Sequence, residues 1–510
     1  MTSIRRKHLC CVVRKSPARG LFLTVLLLLL AGRPGHAQAS LRVDGQPDAL
    51  TAELSGGTFQ GGFRPDYAAS SQYAFGAFAR GRKSVGKAVF EGSFSFDLQY
   101  GKAMSNSLFI HPGLFPLDVL EFTPGDKMLR SYAFHGGVGV EVSPHWILGA
   151  QVSFRSEDYS KRKDIRHTNY GLYLDVEPDI AWTSSDGLFL QLGVRYRRLY
   201  EQIKAERLGS ETAGSYYAFL DKGLSYGTWQ LWDGAGIHLN EAGVMVFPVS
   251  DDAYGLSLAF QKDGWSARLA ALRTSGHVGE KGYDWFRFPG WEAEWMLKYD
   301  SRSDTFLLQL AADADRLEES VLEKVSSGGV VTPVLHGWNV VSRRRDVSAV
   351  LGWTRRWTPR ARSPRWEAGL SLAETYHNEH SFLTYPYTDR WDVLQNTLKA
   401  HGKVIAGAFE VRMALEGTFG LSWEQGLSTQ QPDVTVTEPF RHREHWNAVR
   451  EYAQAPRVGL NAGLNWYVPP VKGLYLRGDF SCLRAFGVQF LPSPWRFSAF
   501  LGIGYTIKYR

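Results

Sequence analysis

Apolar and polar positions alternate with a period of two along most of this chain. The last segment is the clearest: Phe497, Ala499, Leu501, Ile503, Tyr505, Ile507 and Tyr509 fall on one face. Arg496, Ser498, Gly502, Gly504, Thr506, Lys508 and Arg510 fall on the other, with Phe500 the exception. Tyr170, Leu172, Leu174, Val176, Ile180 and Trp182 make a second stripe, and Leu188, Leu190, Leu192, Val194 and Tyr196 a third. Successive side chains of a strand point to opposite faces, so this alternation predicts strands with two chemically different sides. Further strand-like stretches cover 86–100, 130–142, 146–158, 254–262, 264–275, 291–299, 303–312, 345–354, 366–377, 403–416, 456–467 and 471–482. No long segment shows the i, i+3, i+4, i+7 spacing of an amphipathic helix. The expected class is all-β.

The start of the chain reads differently. Residues 1–39 carry seven basic residues (Arg5, Arg6, Lys7, Arg14, Lys15, Arg19, Arg33) and no acid, followed or interrupted by the apolar run Leu21–Ala31. Ala37-Gln38-Ala39 supplies an A-x-A cleavage site, so the expectation is a signal peptide over 1–39 and a mature chain from Ser40. Arg5-Arg6 admits a twin-arginine reading, but the leucine-rich run suits general secretion better. At eleven residues that run is short for a spanning helix, which needs about 20. The whole chain has 58 Lys+Arg against 51 Asp+Glu. Removing the leader's seven leaves equal numbers, so the net charge of +7 belongs to the leader, and the case for a nucleic-acid surface goes with it. The mean hydropathy of −0.25 is too polar for a helical membrane protein. Cys10 and Cys11 leave with the leader, and the remaining Cys482 has no partner for an intramolecular disulfide.

An exported, strand-rich chain with many strands ending in Tyr or Trp points to a membrane barrel, whose outer face meets lipid and whose lumen is polar. The expected fold is a single antiparallel transmembrane β-barrel of about 14–18 strands, with 14 or 16 favoured, at roughly 10 membrane-crossing residues per strand. A soluble exported sandwich or propeller is the alternative. Residues 40–70 are expected as an N-terminal periplasmic segment and 71–510 as the barrel, closed by its last strand through residue 509.

Segments 170–182 and 188–198, joined by Ser184-Ser185-Asp186-Gly187, should pair as a hairpin. Their non-apolar faces carry Asp175, Glu177 and Asp179 opposite Arg195 and Arg197, which predicts ion pairs lining the lumen. Such pairs serve either an ion-selecting constriction or simple internal glue. Two long connections, 201–250 and 109–125, mix aromatic and apolar residues with turn formers. Apolar loops must pack somewhere, so 201–250 is expected to fold inward as a constriction or to cap one mouth, with a partner-binding surface as the alternative.

The stretches His111–Lys127, Lys161–Tyr170, Ala213–Pro248 and Trp285–Pro289 resemble a family of uncharacterised bacterial outer-membrane β-barrels, a domain-of-unknown-function family, over nearly the whole mature chain. The resemblance implies a barrel in the outer membrane and brings no catalytic residues.

Candidate chemistry is sparse. His377-Asn-Glu379-His380 and His442-Arg-Glu444-His445 each offer two imidazoles and a carboxylate, a set suited to zinc, copper or iron. On a strand, residues three apart face opposite ways, so each cluster needs a turn to act together. If 393–416 is one strand followed by a turn at Gly417–Gly420, the clusters share a mouth; if Ala400–Lys403 turns instead, they lie at opposite ends. Two polar loops that happen to hold histidines are the plainer alternative. His238 with Asp233 and Glu241 is the best enzymatic candidate, and a weak one, since the mature chain has neither G-x-S-x-G nor a P-loop. Arg343–Arg345 and Arg355-Arg356 suit either an acidic lipid surface or solvated strand ends. The expectation is an outer-membrane channel or transport-associated barrel, not an enzyme, without cofactor. Its partners would be outer-membrane lipid and other envelope or transport proteins, not nucleic acid. A non-conducting structural or envelope-assembly barrel, and a barrel enzyme acting on lipid or peptide, are the alternatives.

Overall fold

The computed structural model describes residues 48–163, 166–206, 216–233, 236–239, 242–244, 246–280, 283–327, 330–357, 364–383, 389–425 and 442–508. Eighteen antiparallel strands close into one barrel. The first seven are β1 (Ala49–Gly61), β2 (Ser71–Val85), β3 (Ala88–Ser107), β4 (Asp118–Ser143), β5 (Trp146–Lys161), β6 (Arg166–Thr183) and β7 (Phe189–Glu206). Four short strands follow inside the next connection: β8 (Tyr216–Asp221), β9 (Gly227–Asp233), β10 (Gly236–Leu239) and β11 (Ala242–Val244). The wall resumes with β12 (Val246–Lys262), β13 (Trp265–Glu280), β14 (Tyr283–Asp300), β15 (Asp304–Ser327) and β16 (Val330–Trp357). It finishes with β17 (Arg365–Ser381), β18 (Asp389–Ala406), β19 (Phe409–Gln425), β20 (Arg457–Tyr467), β21 (Leu474–Ala485) and β22 (Trp495–Lys508). β7 pairs directly with β12, and β1 pairs with β22 from Ala49↔Lys508 to Gly61↔Arg496. Residue 509, expected on the closing strand, lies outside the described residues.

The two-faced pattern explains the wall. On β6 the odd residues His167, Asn169, Tyr173, Asp175, Glu177, Asp179 and Ala181 are buried inside, while Tyr170, Pro178 and Ile180 are exposed. Large apolar side chains such as Leu192, Val194, Leu256, Leu258, Leu351, Leu398 and Leu501 stand exposed on the outer face. In water that surface would be untenable; in a bilayer it is the belt that lipid covers. Aromatic pairs mark its two edges. Trp265 stacks near Tyr299 (centroids 4.7 Å) and Phe409 near Trp466 (6.4 Å) at one edge, and Tyr196 meets Tyr254 (5.0 Å) at the other. No helix among the described residues is long and apolar enough to cross a membrane.

Tight turns such as Gly86-Lys87 and Gly407-Ala408 lie at one mouth, here the turn mouth, together with the ends Ala49 and Lys508. The opposite, loop mouth carries the long connections. Gly407-Ala408 is the tight turn between β18 and β19, and Gly407 sits at φ +58°, a left-handed conformation that costs glycine little. This corrects two expectations: 403–416 is not a strand, because the chain reverses inside it, and Gly417–Gly420 is not a turn but part of β19.

Three further corrections follow. The strand number, 18, lies within the expected 14–18 but above the favoured 14 or 16, because the outward stripes of β1, β2 and β18 are interrupted by small or polar residues. β1 presents only Leu50 and Leu54 as large exposed apolar residues. The segment 40–70, expected ahead of the barrel, supplies its first strand from Ala49. Finally, α1 (His442–Gln454) is an amphipathic helix, with Trp446, Val449, Tyr452 and Ala453 packed against other side chains. Its sequence has the helical spacing over thirteen residues, short enough to be missed beside strands of up to 28 residues.

Candidate functional site

The lumen has two zones. Toward the turn mouth its wall is a lattice of charges. Arg195 grips Asp175 with Nη2–Oδ2 at 2.6 Å and Nε–Oδ1 at 3.1 Å, and the Tyr173 hydroxyl donates to the same carboxylate at 2.9 Å. The register partner of Asp175 is Arg197, but the bond forms diagonally, two residues away. Arg197 instead spans three strands to Glu292 on β14, with Nη1–Oε2 and Nη2–Oε1 both 2.8 Å, and stands 3.9 Å from Asp251. Glu177 accepts from Arg268 at 2.7 Å and from Ser257 at 2.5 Å. Asp179 has no cation in hydrogen-bond range among the described residues. Its carboxylate occupies the space over Gly149, where a Cβ would come within 2.5 Å of Oδ1. The structure thus places all five residues on the lumen wall and joins two of them to each other; Glu177 and Arg197 find partners that the hairpin alone does not contain. Farther round, Arg412 meets Asp479 at 3.1 Å, and Tyr475 donates to Glu53 at 2.8 Å across the β1–β22 seam.

Toward the loop mouth the lumen is filled by the chain itself. The tip of the β3–β4 hairpin, residues 108–117, folds inward. Leu108, Phe109, Phe115 and Leu117 pack with Tyr173, Leu199, Phe247, Trp285 and Phe288 of the wall into the largest apolar cluster. Its backbone is held from several sides: Glu201 accepts from the N–H of Ile110 (2.8 Å), and Asn169 donates to Leu108 O (2.7 Å). Across the lumen Arg344 of β16 donates to Gly113 O and Phe115 O (3.0 and 3.3 Å). Lys127 donates to Ser107 O at 2.8 Å, and Lys161 pairs with Glu121 at 2.5 Å beneath it.

The connection expected over 201–250 is shorter, because β7 runs to Glu206 and β12 starts at Val246, and its residues 216–226 join this filling. β8 pairs with β4 over Asp118–Leu120, and Ala218, Phe219, Leu220, Leu224 and Tyr226 are buried. Lys222 pairs with Glu319 at 2.7 Å. The inward fold expected for this connection therefore holds for 216–226. Helix α1 closes the remaining sector: Trp446 meets Trp391 edge-on (5.1 Å) and Tyr452 meets Phe63 (5.2 Å). Glu451 accepts from the N–H groups of Phe490 and Leu491 (2.8 and 2.7 Å), and Gln395 donates to Ala453 O (2.6 Å). His445 pairs with Asp66 in the β1–β2 connection. Burial alone would depress this imidazole, but Asp66, with smaller contributions from Asp221 and Asp118, raises it above its ordinary value. Asp66 is correspondingly lowered, His445 outweighing its own burial.

Both histidine clusters lie at the loop mouth, by the β18–β19 route rather than by a 393–416 strand. His377 and Glu379 point into the lumen, where His377 Nδ1 meets Asp346 at 2.5 Å. His380 is on the opposite face, beside Phe382. In the second cluster His445 is committed to Asp66, while the side chains of His442 and Glu444 lie outside the described residues. Among the described residues no three His, Cys, Asp or Glu groups are arranged to hold a metal. His238 is on β10, and Glu241 and the side chains of Asp233 and His238 are outside the described residues. Sequence reading missed Arg268, Glu292 and the whole of α1, and it took Arg344 with its neighbours for a lipid-facing or solvated strand end, whereas Arg344 is buried in the lumen; the inward positions of the three strand residues follow the alternation, but their partners depend on barrel closure.

These features define a class: a transmembrane β-barrel with a charged lumen wall and a loop mouth filled by its own inward segments. The chain belongs to the family of unknown function DUF6850, whose model matches residues 39–507. No curated protein matches it. Among solved structures, OccAB3 of Acinetobacter baumannii aligns over 91% of this chain and 100% of its own, at 11% identity and a TM-score of 0.37. BauA, the ferric preacinetobactin receptor of the same organism, aligns over 91% and 80% at 10% identity and a TM-score of 0.41. The outer-membrane transporter YddB of Escherichia coli aligns over 91% and 81% at 5% identity and a TM-score of 0.38. No residue role is transferred from them.

Proposed function

We propose that this protein is an outer-membrane, transport-associated barrel whose passage is controlled by its own inward segments, and that it has no catalytic role. The observation that carries the reading is the division of the lumen. A polar, ion-paired wall leads from the turn mouth to an apolar filling made of residues 108–117, 216–226 and α1. A barrel needed only as a wall gains little from a charged lumen, whereas a path for polar solutes needs one. Within the filling, β8 is strand-paired to β4, whereas α1 is held by side-chain packing, the His445–Asp66 pair and a few hydrogen bonds, so α1 is the part that can release as a unit.

The test is planar-bilayer conductance of purified protein. The wild type should conduct little. Replacing residues 426–456 by a short Gly-Ser linker, which removes α1 and leaves every barrel strand intact, should raise conductance severalfold while the barrel still inserts. Normal insertion with unchanged conductance would refute control by α1 and favour a structural barrel.

A further inference from the structure

A row of arginines crosses one sector of the barrel's outer surface. Arg316 on β15 is the register partner of Arg343 on β16, Arg343 of His380 on β17, and His380 of Arg390 on β18. Arg345 lies two residues along β16 on the same face. Strand alternation fixes the orientation: Arg343 and Arg345 are exposed, whereas Arg344 and Asp346 between them are buried in the lumen. Arg287 of β14 joins the row, pairing with Glu318 and stacking over Trp338 at 4.4 Å.

The row stands at the top of the lipid-facing belt. The next outward residue along β16 is Val347, 45% exposed, and Leu351 and Trp353 follow below it. Tyr376 and Leu394 hold the corresponding positions on β17 and β18. This is the level at which lipid headgroups lie.

The chain does not neutralise the row. Like charges directly opposite on neighbouring strands destabilise a sheet, and here Arg316 faces Arg343. Two carboxylates serve the five guanidiniums: Glu318, shared by Arg287 and Arg316 (2.5 Å to the latter), and Asp392, bound by Arg390 at 2.8 Å. Among the described residues no carboxylate pairs with Arg343 or Arg345; Arg343 rests on the ring of Phe382 at 5.2 Å. Elsewhere on the outer surface Arg198 and Arg484 are each matched locally. Arg198 is 3.7 Å from Asp252, and Arg484 covers Phe486 and Trp495.

We propose that Arg316, Arg343, Arg345 and Arg390 form a binding site for the phosphate groups of an anionic glycolipid in the outer leaflet. Planar guanidiniums suit phosphate oxygens in bidentate geometry, and a row spread over four strands suits a headgroup with more than one phosphate. The inference rests on the transmembrane fold and is independent of the transport reading.

The test uses the whole purified protein in mixed micelles doped with bis-phosphorylated lipid A, or with the same lipid after enzymatic dephosphorylation. Native mass spectrometry reads the lipid retained. Wild type should retain the phosphorylated form and release the dephosphorylated one. R345Q, which removes a side chain that pairs with no carboxylate among the described residues, should weaken retention by about fivefold, and R316Q/R343Q/R345Q by on the order of a hundredfold. The triple R130Q/R198Q/R484Q removes equal charge from outward positions elsewhere and should change retention by less than about twofold. Equal loss in both triples, or wild-type retention indifferent to phosphate, would overturn the site. Heat-shifted gel mobility confirms folding, and R345Q keeps the test decisive if the triple does not fold.

Discussion

Arg197 is wholly buried, and its two terminal nitrogens are both committed to Glu292 on a strand three places round the wall. Replacing it by Met keeps the length and volume of the side chain but takes the guanidinium away from Glu292 and nearby Asp251, each 2% exposed or less. Breaking a buried pair from one side costs about 3–5 kcal/mol, chiefly because a buried charge is left uncompensated. Removing both partners costs much less, since the desolvation penalty disappears together with the attraction. R197M should therefore lower the unfolding free energy by about 3–4 kcal/mol and R197M/E292M by about half that, so the two residues are coupled by at least about 2 kcal/mol. Urea unfolding in lipid vesicles, followed by tryptophan emission and the gel-mobility shift of the closed barrel, gives all four corners of the cycle. A loss below 1 kcal/mol in R197M, or additive single mutants, would show that water reaches the pair and that the lumen wall is open solvent at this level.

The latch between His445 and Asp66 makes a pH prediction. The raised imidazole contributes stability that is complete below about pH 6.5 and is lost as pH rises through its higher folded value; the lowered carboxylate contributes above about pH 4 and is lost below. Hydrogen exchange at the amides of α1 should be slowest between those limits and quicken above neutrality, and D66N should abolish the dependence. G407A should destabilise the barrel by about 1 kcal/mol through backbone strain alone, since nothing lies near its Cβ, and G407N by less; equal midpoints for G407A and wild type would refute the strain. N-terminal sequencing of membrane-extracted protein should begin at or near Ser40, and a chain still starting at Met1 would remove the signal-peptide reading.

Much of the wall was legible because the lipid-facing stripe is written in the local sequence. The β6–β7 hairpin emerged with its turn, its outward apolar residues and its inward charges in place. β1 and β2 were less visible: glycine and alanine occupy outward positions such as Gly56, Ala77 and Ala79, where neighbouring strands supply the apolar cover. The lumen was legible only in part. That Asp175 and Arg197 face inward follows from alternation, but that Arg197 reaches Glu292 depends on curvature, which no hairpin contains. The same holds for Arg344, whose ligands are two carbonyls more than 200 positions away in the chain. The separation of His377 from His380 was implicit in their spacing, and the structure puts them on opposite faces for that reason.

The seam between β1 and β22 makes the barrel a ring without a privileged starting point. Thr51 and Thr506 share a hydrogen bond at 3.0 Å across 455 positions of sequence, and Phe59 meets Phe500 edge-on at 5.0 Å. Both ends emerge at the turn mouth, side by side. A short peptide joining 508 to 49 would therefore bridge neighbouring strands, and the chain could be reopened at Gly86-Lys87 or Gly407-Ala408 without breaking a strand pairing. In such permuted chains the order of synthesis changes while the hoop does not, which separates the two ways a barrel can assemble: from its ends toward the middle, or by zipping from whichever hairpin forms first.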